Sequence, residues 1–512
     1  DVRLVAAPED QVANFGGDPD NYTYPRWNLD FTLFRVYENG QPFRPEAFLP
    51  FASTPLKAGD LTFIAGNPGT TFRQQTHAQM LYARDTGLPF QLAWLGRQRQ
   101  ALEAYARTSP EAARLAADAL YGNGNYAKRA TGQLLGLSKP ENLARVAKAE
   151  AALRAQVAGD AALQAQAGSS WDRVAHAVEQ QRRLLKAYTC LDVRGCLLLG
   201  HALTLLRAPV EAAKPSDKRL SEFADGTVKA TRDRLLNPRP VVVPVDQVRL
   251  AWALQEALLE LGPEHPFVKA ALAGRTPEEA ARAAVAGTRL HDPAERRRLL
   301  EGGTAALAAS TDPMLALARI LDPFQRAQRR QWEDEVLSVT SEHGGRIAQA
   351  RFKLLGRSQY PDGTGTLRLG WGPVATYATG SGTLAQPFTT FLGLYDRHEG
   401  WGGNAAAAEN GVWTLPQRWG DGMAQVDLQV PYNFIYACDT VGGSSGSPVV
   451  NRAGEFVGIN FDSVFEGQGG YYVYDADTKR AVAVDARAIL QALERVMGGP
   501  HLARELRGTA AR

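Results

Sequence analysis

The chain has 512 residues, of which 45% are hydrophobic and 22% are charged, as expected for a globular protein with a large buried core. Its 57 Lys and Arg residues nearly balance 54 Asp and Glu residues, and a net charge of +3 argues against a dedicated nucleic-acid binder. No apolar run of about 18 residues occurs, so no membrane span is expected, and three Cys residues exclude a disulfide-dense scaffold.

The predicted elements fall into three zones along the chain. Residues 1–80 carry short apolar runs bounded by turn residues, which predict strands at 31–37 and 61–65. Residues 81–356 are rich in Ala, Leu, Arg and Glu, and their apolar positions recur at helical spacing, which predicts a large helical domain. Residues 357–512 regain the strand pattern. There we expect strands at 425–430, 447–450, 455–460 and 471–474, followed by an amphipathic helix at 486–497.

Helix starts are marked inside the middle zone. Pro140 after Ser138, and Pro277 after Thr276, fit the first turns of helices that begin with a cap residue. The pattern alone leaves two architectures open: one β domain with a helical insertion, or three consecutive domains.

The strongest chemical signal is the segment from Gly442 to Val450, Gly-Gly-Ser-Ser-Gly-Ser-Pro-Val-Val. It matches the G-x-S-G-x-P loop that leads into a strand in chymotrypsin-like serine peptidases. Glycines allow a sharp turn that leaves the amides of Gly443 and Ser445 free to face a developing oxyanion, with the Ser445 hydroxyl exposed for attack. The alternative is an ordinary Gly/Ser turn between two strands.

A nucleophilic serine needs a base, and the base needs an orienting carboxylate. Asp30 heads the first apolar run, where the chymotrypsin order of His, Asp and Ser places that carboxylate; the alternative is a turn-capping Asp. All eight histidines follow Asp30, so none occupies the expected place of the base. His77 lies nearest to the first strand zone and is either a base in an unusual chain order or a surface or packing residue.

Other chemistries have less support. The sequence contains no H-E-x-x-H motif, no C-x-x-C pair, no phosphate-binding loop and no dinucleotide fingerprint, and no metal or organic cofactor is implied. Cys190 and Cys196 either form a local disulfide or stay reduced, and Cys438 is expected to be a buried thiol.

Longer motifs carry a resemblance to a known family. The run Asn14–Arg26 leading into Asp30, the run Val430–Phe434, the loop Gly442–Pro448 and the triplet Asn460-Phe461-Asp462 occur in this order. Together they resemble the bacterial dipeptidyl aminopeptidases of the dipeptidyl-peptidase seven and eleven type, over essentially the whole chain.

The resemblance implies an α+β fold with a chymotrypsin-like double β-barrel and a large inserted helical domain that caps the cleft. On that basis residues 1–80 are the remainder of the N-terminal barrel, 81–356 the cap domain and 357–512 the C-terminal barrel. It also implies a periplasmic or cell-surface homodimer that removes dipeptides from free N-termini of oligopeptides, and it favours the disulfide between Cys190 and Cys196.

The same resemblance assigns roles to individual residues. Ser445 is the implied nucleophile and Asp30 the orienting carboxylate, while Asn21, Asn125 and Asp462 are implied to hold the α-ammonium of the substrate. Ser463 stands at the position that governs the first specificity pocket. Because it carries no positive charge, we expect an apolar, aromatic or broad preference rather than an acidic one.

The family carries its catalytic His on an N-terminal segment of the first barrel. We therefore expect this chain, which starts at Asp1, to lack that His and the strands that pair with residues 31–37. The resulting prediction is a serine-type dipeptidyl aminopeptidase. Two alternatives stay open: a non-catalytic peptide-binding relative without the base, and an endopeptidase of the same barrel type.

Overall fold

A computed structural model describes residues 1–192, 195–359, 361–402 and 411–508. It contains two compact units. The first, here called the β unit, comprises Asp1–Gln75, Lys128–Lys148 and Arg357–Arg512; the second, the helical unit, comprises Thr76–Ala127 and Ala149–Gly356. Within these described ranges, no single helix is both long and apolar enough to cross a membrane.

The strands lie at both ends of the chain. They are β1 Val2–Ala6, β2 Leu33–Glu38, β3 Gln41–Pro42, β4 Leu61–Gly66, β5 Arg368–Pro373, β6 Tyr377–Ala378, β7 Leu384–Ala385, β8 Phe388–Thr390, β9 Pro431–Tyr436, β10 Pro448–Val450, β11 Phe456–Ser463 and β12 Ala481–Asp485.

The α-helices fill the middle of the chain and flank the strands. They are α1 Asp10–Ala13, α2 Gly17–Asp20, α3 His77–Tyr82, α4 Leu88–Ala106, α5 Pro110–Ser138, α6 Pro140–Ala158, α7 Ala161–Ala167, α8 Ser170–Asp192, α9 Leu197–Ala212, α10 Val228–Leu235, α11 Val243–Leu261, α12 Pro266–Leu272, α13 Pro277–Ala286, α14 Pro293–Ala309, α15 Pro313–Trp332, α16 Ser338–Leu355, α17 Phe391–Arg397, α18 Gln417–Gly422, α19 Ala486–Arg495 and α20 Pro500–Leu506. A 3₁₀ segment at Phe465–Tyr471 follows β11.

The strands of the β unit form two main sheets. A three-stranded sheet has the order β1-β2-β3, and a seven-stranded sheet has the order β5-β4-β10-β11-β12-β9-β8. The expectation that β2 lacks pairing strands is wrong, because β1 and β3 pair with its two edges. No strand was predicted from the sequence at Val2–Ala6. Moreover, β4 pairs with β5 and β10 rather than with the strands around β2, so the boundary drawn at residue 80 divides the larger sheet.

The seven-stranded sheet curls back on itself. Val374, directly after β5, bridges to Tyr436 at the end of β9, and the Ala437 amide donates to the Pro373 carbonyl at 2.8 Å. Gly372 permits this approach, because a Cβ atom there would lie 1.8 Å from the Ala437 carbonyl oxygen. The curl thereby brings the chain that leads to the Gly442–Pro448 loop against β5. The α+β class is confirmed, whereas the chymotrypsin-like double barrel stays a prediction.

The inner faces of the sheet and its flanking helices are apolar and buried. Phe434, Tyr436, Val449 and Val457 form one cluster, and α19 packs Ile489 and Leu493 into another. The predicted C-terminal helix is therefore confirmed, ending at Arg495. Burial of these side chains supplies the main favourable term for folding of this unit.

The helical unit has its own core, built mainly from Leu, Ala and aromatic side chains of α8, α9, α11 and α15. Both predicted helix starts are confirmed: Pro140 begins α6, and Pro277 begins α13 after Thr276, which forms a reciprocal capping box with Glu279. The disulfide favoured for Cys190 and Cys196 is absent from this structure, where both thiols are free and buried. Cys438 is a buried free thiol, as predicted.

Two strand predictions near the C-terminus are wrong. Residues 426–430 form turns, and the strand begins only at Pro431, because the Val430 amide donates to the Asp427 carbonyl at 3.2 Å and closes a turn. Residues 471–474 follow the 3₁₀ segment without pairing in a sheet. At 426–430 the alternating pattern arose from side chains that pack beneath a turn, and at 471–474 a short apolar run is buried without forming an extended ladder.

Candidate active site

The loop that carries Ser445 connects the closing corner of the sheet to β10. Gly443 and Gly446 adopt φ angles of +103° and +80°, which glycine accepts readily. A Cβ atom on Gly443 would lie 2.6 Å from the Asn67 carbonyl oxygen. Ser445 is exposed, and its Oγ donates to the Phe461 carbonyl oxygen at 3.2 Å. The loop thus presents the hydroxyl to solvent beside the end of β11.

Backbone hydrogen bonds hold this loop in shape. The Gly446 amide donates to the Asn460 carbonyl at 2.7 Å, and the Ser444 amide donates to the Val441 carbonyl at 3.0 Å. Among the described residues, by contrast, the amides of Gly443 and Ser445 donate to no acceptor. Two free donors next to an exposed serine hydroxyl are what stabilisation of an oxyanion requires.

Asp462 lies one residue beyond the Ser445 contact on β11. Its Oδ2 accepts from Arg26 Nη1 at 2.7 Å and from the Tyr22 amide at 3.0 Å, and its Oδ1 accepts from the Ser463 amide at 2.8 Å. Only 2% of the Arg26 side chain and 7% of the Asp462 side chain are exposed. The carboxylate is therefore part of a buried ion pair and is rigidly oriented before any substrate binds.

Arg26 was the residue that motif analysis missed. It ends the Asn14–Arg26 run, yet its charge was given no role. Besides Asp462, it donates to the Asp20 carbonyl at 2.6 Å and to Asn28 Oδ1 at 2.7 Å. A carboxylate predicted in a buried site needs a compensating cation nearby, and that requirement was the available signal.

Replacing Arg26 by Met is expected to lower the free energy of unfolding by about 3–5 kcal/mol, because Asp462 would stay buried without a cation. Urea denaturation measures this change. Arg418 makes an exposed ion pair with Glu9 at 2.5 Å, so Arg418→Met serves as the matched control, with an expected loss of at most about 1 kcal/mol. Equal losses in the two variants would contradict the role of the buried pair.

The segment before Arg26 surrounds the same carboxylate. Asn21 is buried directly after α2, and Tyr22 adopts a left-handed φ of +60°, which directs its amide to Asp462. Lys128 of α5 donates to the carbonyls of Asp18, Pro19 and Asn21. The structure therefore brings Asn21 and Asp462 together, and Lys128 positions the Asn21 segment. Asn125 lies on α5 in the helical unit.

Asp30 lies just before β2 and retains an exposed face. Within the described ranges its carboxylate makes no hydrogen bond. Burial of the carboxyl group raises its pKa, the nearby Arg26 charge lowers it, and the Asp462 charge raises it, so that the net pKa lies above the usual value. The charges of Arg26 and Asp462 thus both act on Asp30. The Asp30 carboxylate can still accept a hydrogen bond from a further donor.

No histidine of the described residues hydrogen-bonds to Ser445 or Asp30. His77 is the first residue of α3 in the helical unit, where its amide donates to Glu150 Oε2 at 2.7 Å. His398 Nδ1 contacts the Trp413 carbonyl at 3.0 Å. The described residues therefore place the serine beside two free amides, without a histidine that connects Ser445 to Asp30.

Ser463 ends β11 and is buried, with 8% of its surface exposed. Its Oγ accepts from Gln468 Nε2 at 2.9 Å, so the 3₁₀ segment closes over this residue. A separate cavity of about 460 Å³ adjoins the nucleophile loop at Thr440, Val441 and Ser444. Ser445 does not line that cavity, which therefore lies behind the loop rather than at the reactive hydroxyl.

Comparison with known proteins gives several relatives. An Asp/Glu-specific dipeptidyl-peptidase of Shewanella putrefaciens is 28% identical over 99% of this chain and 74% of its own length. A dipeptidyl-peptidase 7 of Phocaeicola vulgatus is 24% identical over 99% of this chain and 72% of its own length. The crystal structure of Porphyromonas endodontalis DPP11 in complex with the dipeptide Arg-Glu matches with a TM-score of 0.77 at 20% identity, covering 99% of this chain and 74% of that one.

These matches confirm the family resemblance predicted from the motifs. They do not support the non-catalytic alternative or the endopeptidase alternative. The profile of the family described as Peptidase S46 matches residues 1–508. Because this match extends over nearly the whole chain, the protein belongs to the peptidase S46 family.

Proposed function

We propose that this protein is a serine-type dipeptidyl aminopeptidase, which releases dipeptides from the free N-termini of oligopeptides. The observation that carries the proposal is the placement of an exposed Ser445, with two free amides, directly beside the Asp462 site. The dipeptidyl-peptidase names of the relatives support the same reaction.

In the proposed mechanism, Ser445 Oγ forms a bond to the carbonyl carbon of the second substrate residue. The negative charge that develops on the carbonyl oxygen is held by the amides of Gly443 and Ser445. The C–N bond then breaks, the amine leaves with the proton taken from the serine, and water releases the dipeptide from the acyl-enzyme. The proton carrier is a histidine oriented by Asp30, in accordance with the family resemblance.

Selection of a free N-terminus follows from the polar groups around Asp462. A substrate ammonium can donate to the remaining acceptor capacity of this carboxylate and to Asn21, while Asn125 stays a predicted third partner. Because Arg26 already neutralises Asp462, the site provides oriented acceptors rather than a free negative charge. The distance from this site to Ser445 would then set the dipeptide register.

The remaining predictions belong to the same proposal. We expect a chymotrypsin-like double barrel, a homodimer and a periplasmic or cell-surface location, as the resemblance implied. The residue preference before the scissile bond is a separate question. Ser463 alone predicts a non-acidic preference, but a buried lysine, Lys479, belongs to the same cluster of side chains.

The test uses a free hexapeptide and its N-acetylated form, incubated with the chain and with the full-length product of its gene. We expect the full-length protein to release successive dipeptides from the free peptide only, as detected by mass spectrometry. Cleavage of the acetylated peptide at internal bonds would overturn the exopeptidase assignment.

A further inference from the structure

A buried lysine lies close to Ser463, beneath the 3₁₀ segment that follows β11. Lys479 precedes β12, and only 1% of its surface is exposed. Its ammonium nitrogen has no hydrogen-bond partner among the described residues. A buried ammonium without a hydrogen-bond partner is unfavourable, so an acceptor supplied by a ligand would stabilise it.

The stem of Lys479 packs beneath the 3₁₀ segment that covers Ser463. Cβ atoms on Gly467 and Gly470 would lie 3.0 Å and 3.9 Å from Lys479 Cδ, so the absence of side chains there makes room for the stem. Gln468, between these glycines, donates to Ser463 Oγ. Ala481, two residues after Lys479, pairs with Ser463 across β11 and β12. Lys479 and Ser463 therefore belong to one cluster.

The ammonium interacts electrostatically with both walls of the site. One is the stretch Cys438–Asp439 that leads into the nucleophile loop, and the other is Asp462 on β11. The two stretches are in contact through Ser445, whose Oγ donates to the Phe461 carbonyl oxygen at 3.2 Å. In the binding mode proposed below, a side chain attached at the carbonyl under attack by Ser445 would enter between them, towards Lys479.

The neighbouring carboxylates do not cancel this charge. Asp439 forms a two-point ion pair with Arg73, with Nη2 to Oδ1 at 2.8 Å, and Asp462 is paired with Arg26 at 2.7 Å. Each carboxylate thus has its own guanidinium, and Lys479 leaves one surplus positive charge in the cluster.

We propose that Lys479 is a specificity-determining residue, which pairs with the carboxylate of an Asp or Glu side chain directly before the scissile bond. This inference rests on the proposed dipeptidyl-peptidase function. It replaces the non-acidic preference drawn from position 463 alone, because the positive charge absent from Ser463 is supplied by Lys479 in the same cluster.

Binding of dipeptide products tests the proposal without requiring the catalytic base. We expect calorimetry at pH 7 to show that Arg-Glu binds the chain about tenfold or more tightly than Arg-Gln. Lys479→Met should bind Arg-Glu and Arg-Gln with equal affinity, whereas Lys479→Arg should retain a preference for Arg-Glu. Lys57→Met removes an exposed lysine of the same unit and controls for net charge; it should leave the ratio unchanged.

A measurement on the unmodified chain covers the case in which Lys479→Met does not fold. Burial lowers the pKa of Lys479 to about 8; Asp439, the Cys438 thiol and Asp462 act to raise it, and Arg73 acts to lower it. The ammonium is lost as pH rises through this value, so the preference for Arg-Glu over Arg-Gln should decline above about pH 8. The α-ammonium is common to both dipeptides and cancels in the ratio.

The outcomes separate the two proposals. Equal affinities for Arg-Glu and Arg-Gln at pH 7, or a preference that survives in folded Lys479→Met, would overturn the role of Lys479 while leaving the peptidase assignment intact. Failure of both dipeptides to bind, or equal binding of their N-acetylated forms, would overturn the proposed function and with it this inference.

Discussion

Replacing Ser445 by alanine is expected to lower kcat/KM for dipeptide release by about 10⁶-fold in the full-length protein, since the covalent step loses its nucleophile. The free amides of Gly443 and Ser445 remain in this variant, because they belong to the backbone. Residual activity therefore measures what oxyanion stabilisation and binding contribute without acyl-enzyme formation. Hydrolysis of a dipeptidyl-coumarin substrate provides the rate.

Ser444 offers a matched control in the same loop. It undergoes the same chemical change on mutation to alanine, but it is buried, and its backbone carbonyl rather than its hydroxyl accepts from Asn460 Nδ2 at 3.3 Å. Ser444→Ala should retain activity within about tenfold, as expected for a site that keeps its backbone geometry. Comparable losses in both variants would indicate disruption of the loop, and an active Ser445→Ala would point to another nucleophile.

Replacing Asp30 by asparagine is expected to lower kcat/KM by about 10⁴-fold, because an amide cannot hold the base in the required tautomer or stabilise its cation. Substrate binding should change much less, so the loss should appear in kcat. The measurement again is steady-state hydrolysis of a dipeptidyl-coumarin by the full-length protein.

Stability separates a catalytic role of Asp30 from a structural one. Its pKa is raised in the folded chain, chiefly by burial, so the folded state disfavours the ionised carboxylate relative to the unfolded state. At neutral pH this ionisation opposes folding, and Asp30→Asn should leave Tm unchanged or raise it while activity falls. Asp60→Asn, at an exposed turn, should alter neither property. A fully active Asp30→Asn would remove this residue from the triad.

Short segments with distinctive chemistry were predictable from their own residues. The Gly442–Pro448 loop contains the glycines that its left-handed turns require, and the capping box at Thr276 is complete within four residues. The strand at Leu61–Gly66 was also predicted, although its partners were not. In each case the stabilising contacts lie within a few positions along the chain, where a pattern can be read directly.

Contacts between distant segments were not predictable in this way. Arg26 and Asp462 are 436 positions apart, and Lys479 interacts electrostatically with Asp439, which lies 40 positions earlier in the chain. Ser463 by itself predicts a non-acidic preference, and the nearby charge of Lys479 becomes apparent only in the folded chain. Residues 426–430 show the same limit within a short range, because alternation cannot distinguish a strand from a turn that buries every second side chain.

The amino-acid sequence was sufficient to identify the α+β class, the glycine turn at Gly442–Pro448 and the family, since these depend on residue types in local order. The closing of the seven-stranded sheet, the neutralisation of Asp462 by Arg26 and the uncompensated ammonium of Lys479 emerged only when the chain was folded. The reason is physical. Burial and charge compensation depend on which atoms surround a group in three dimensions, and those atoms come from segments that share no local pattern.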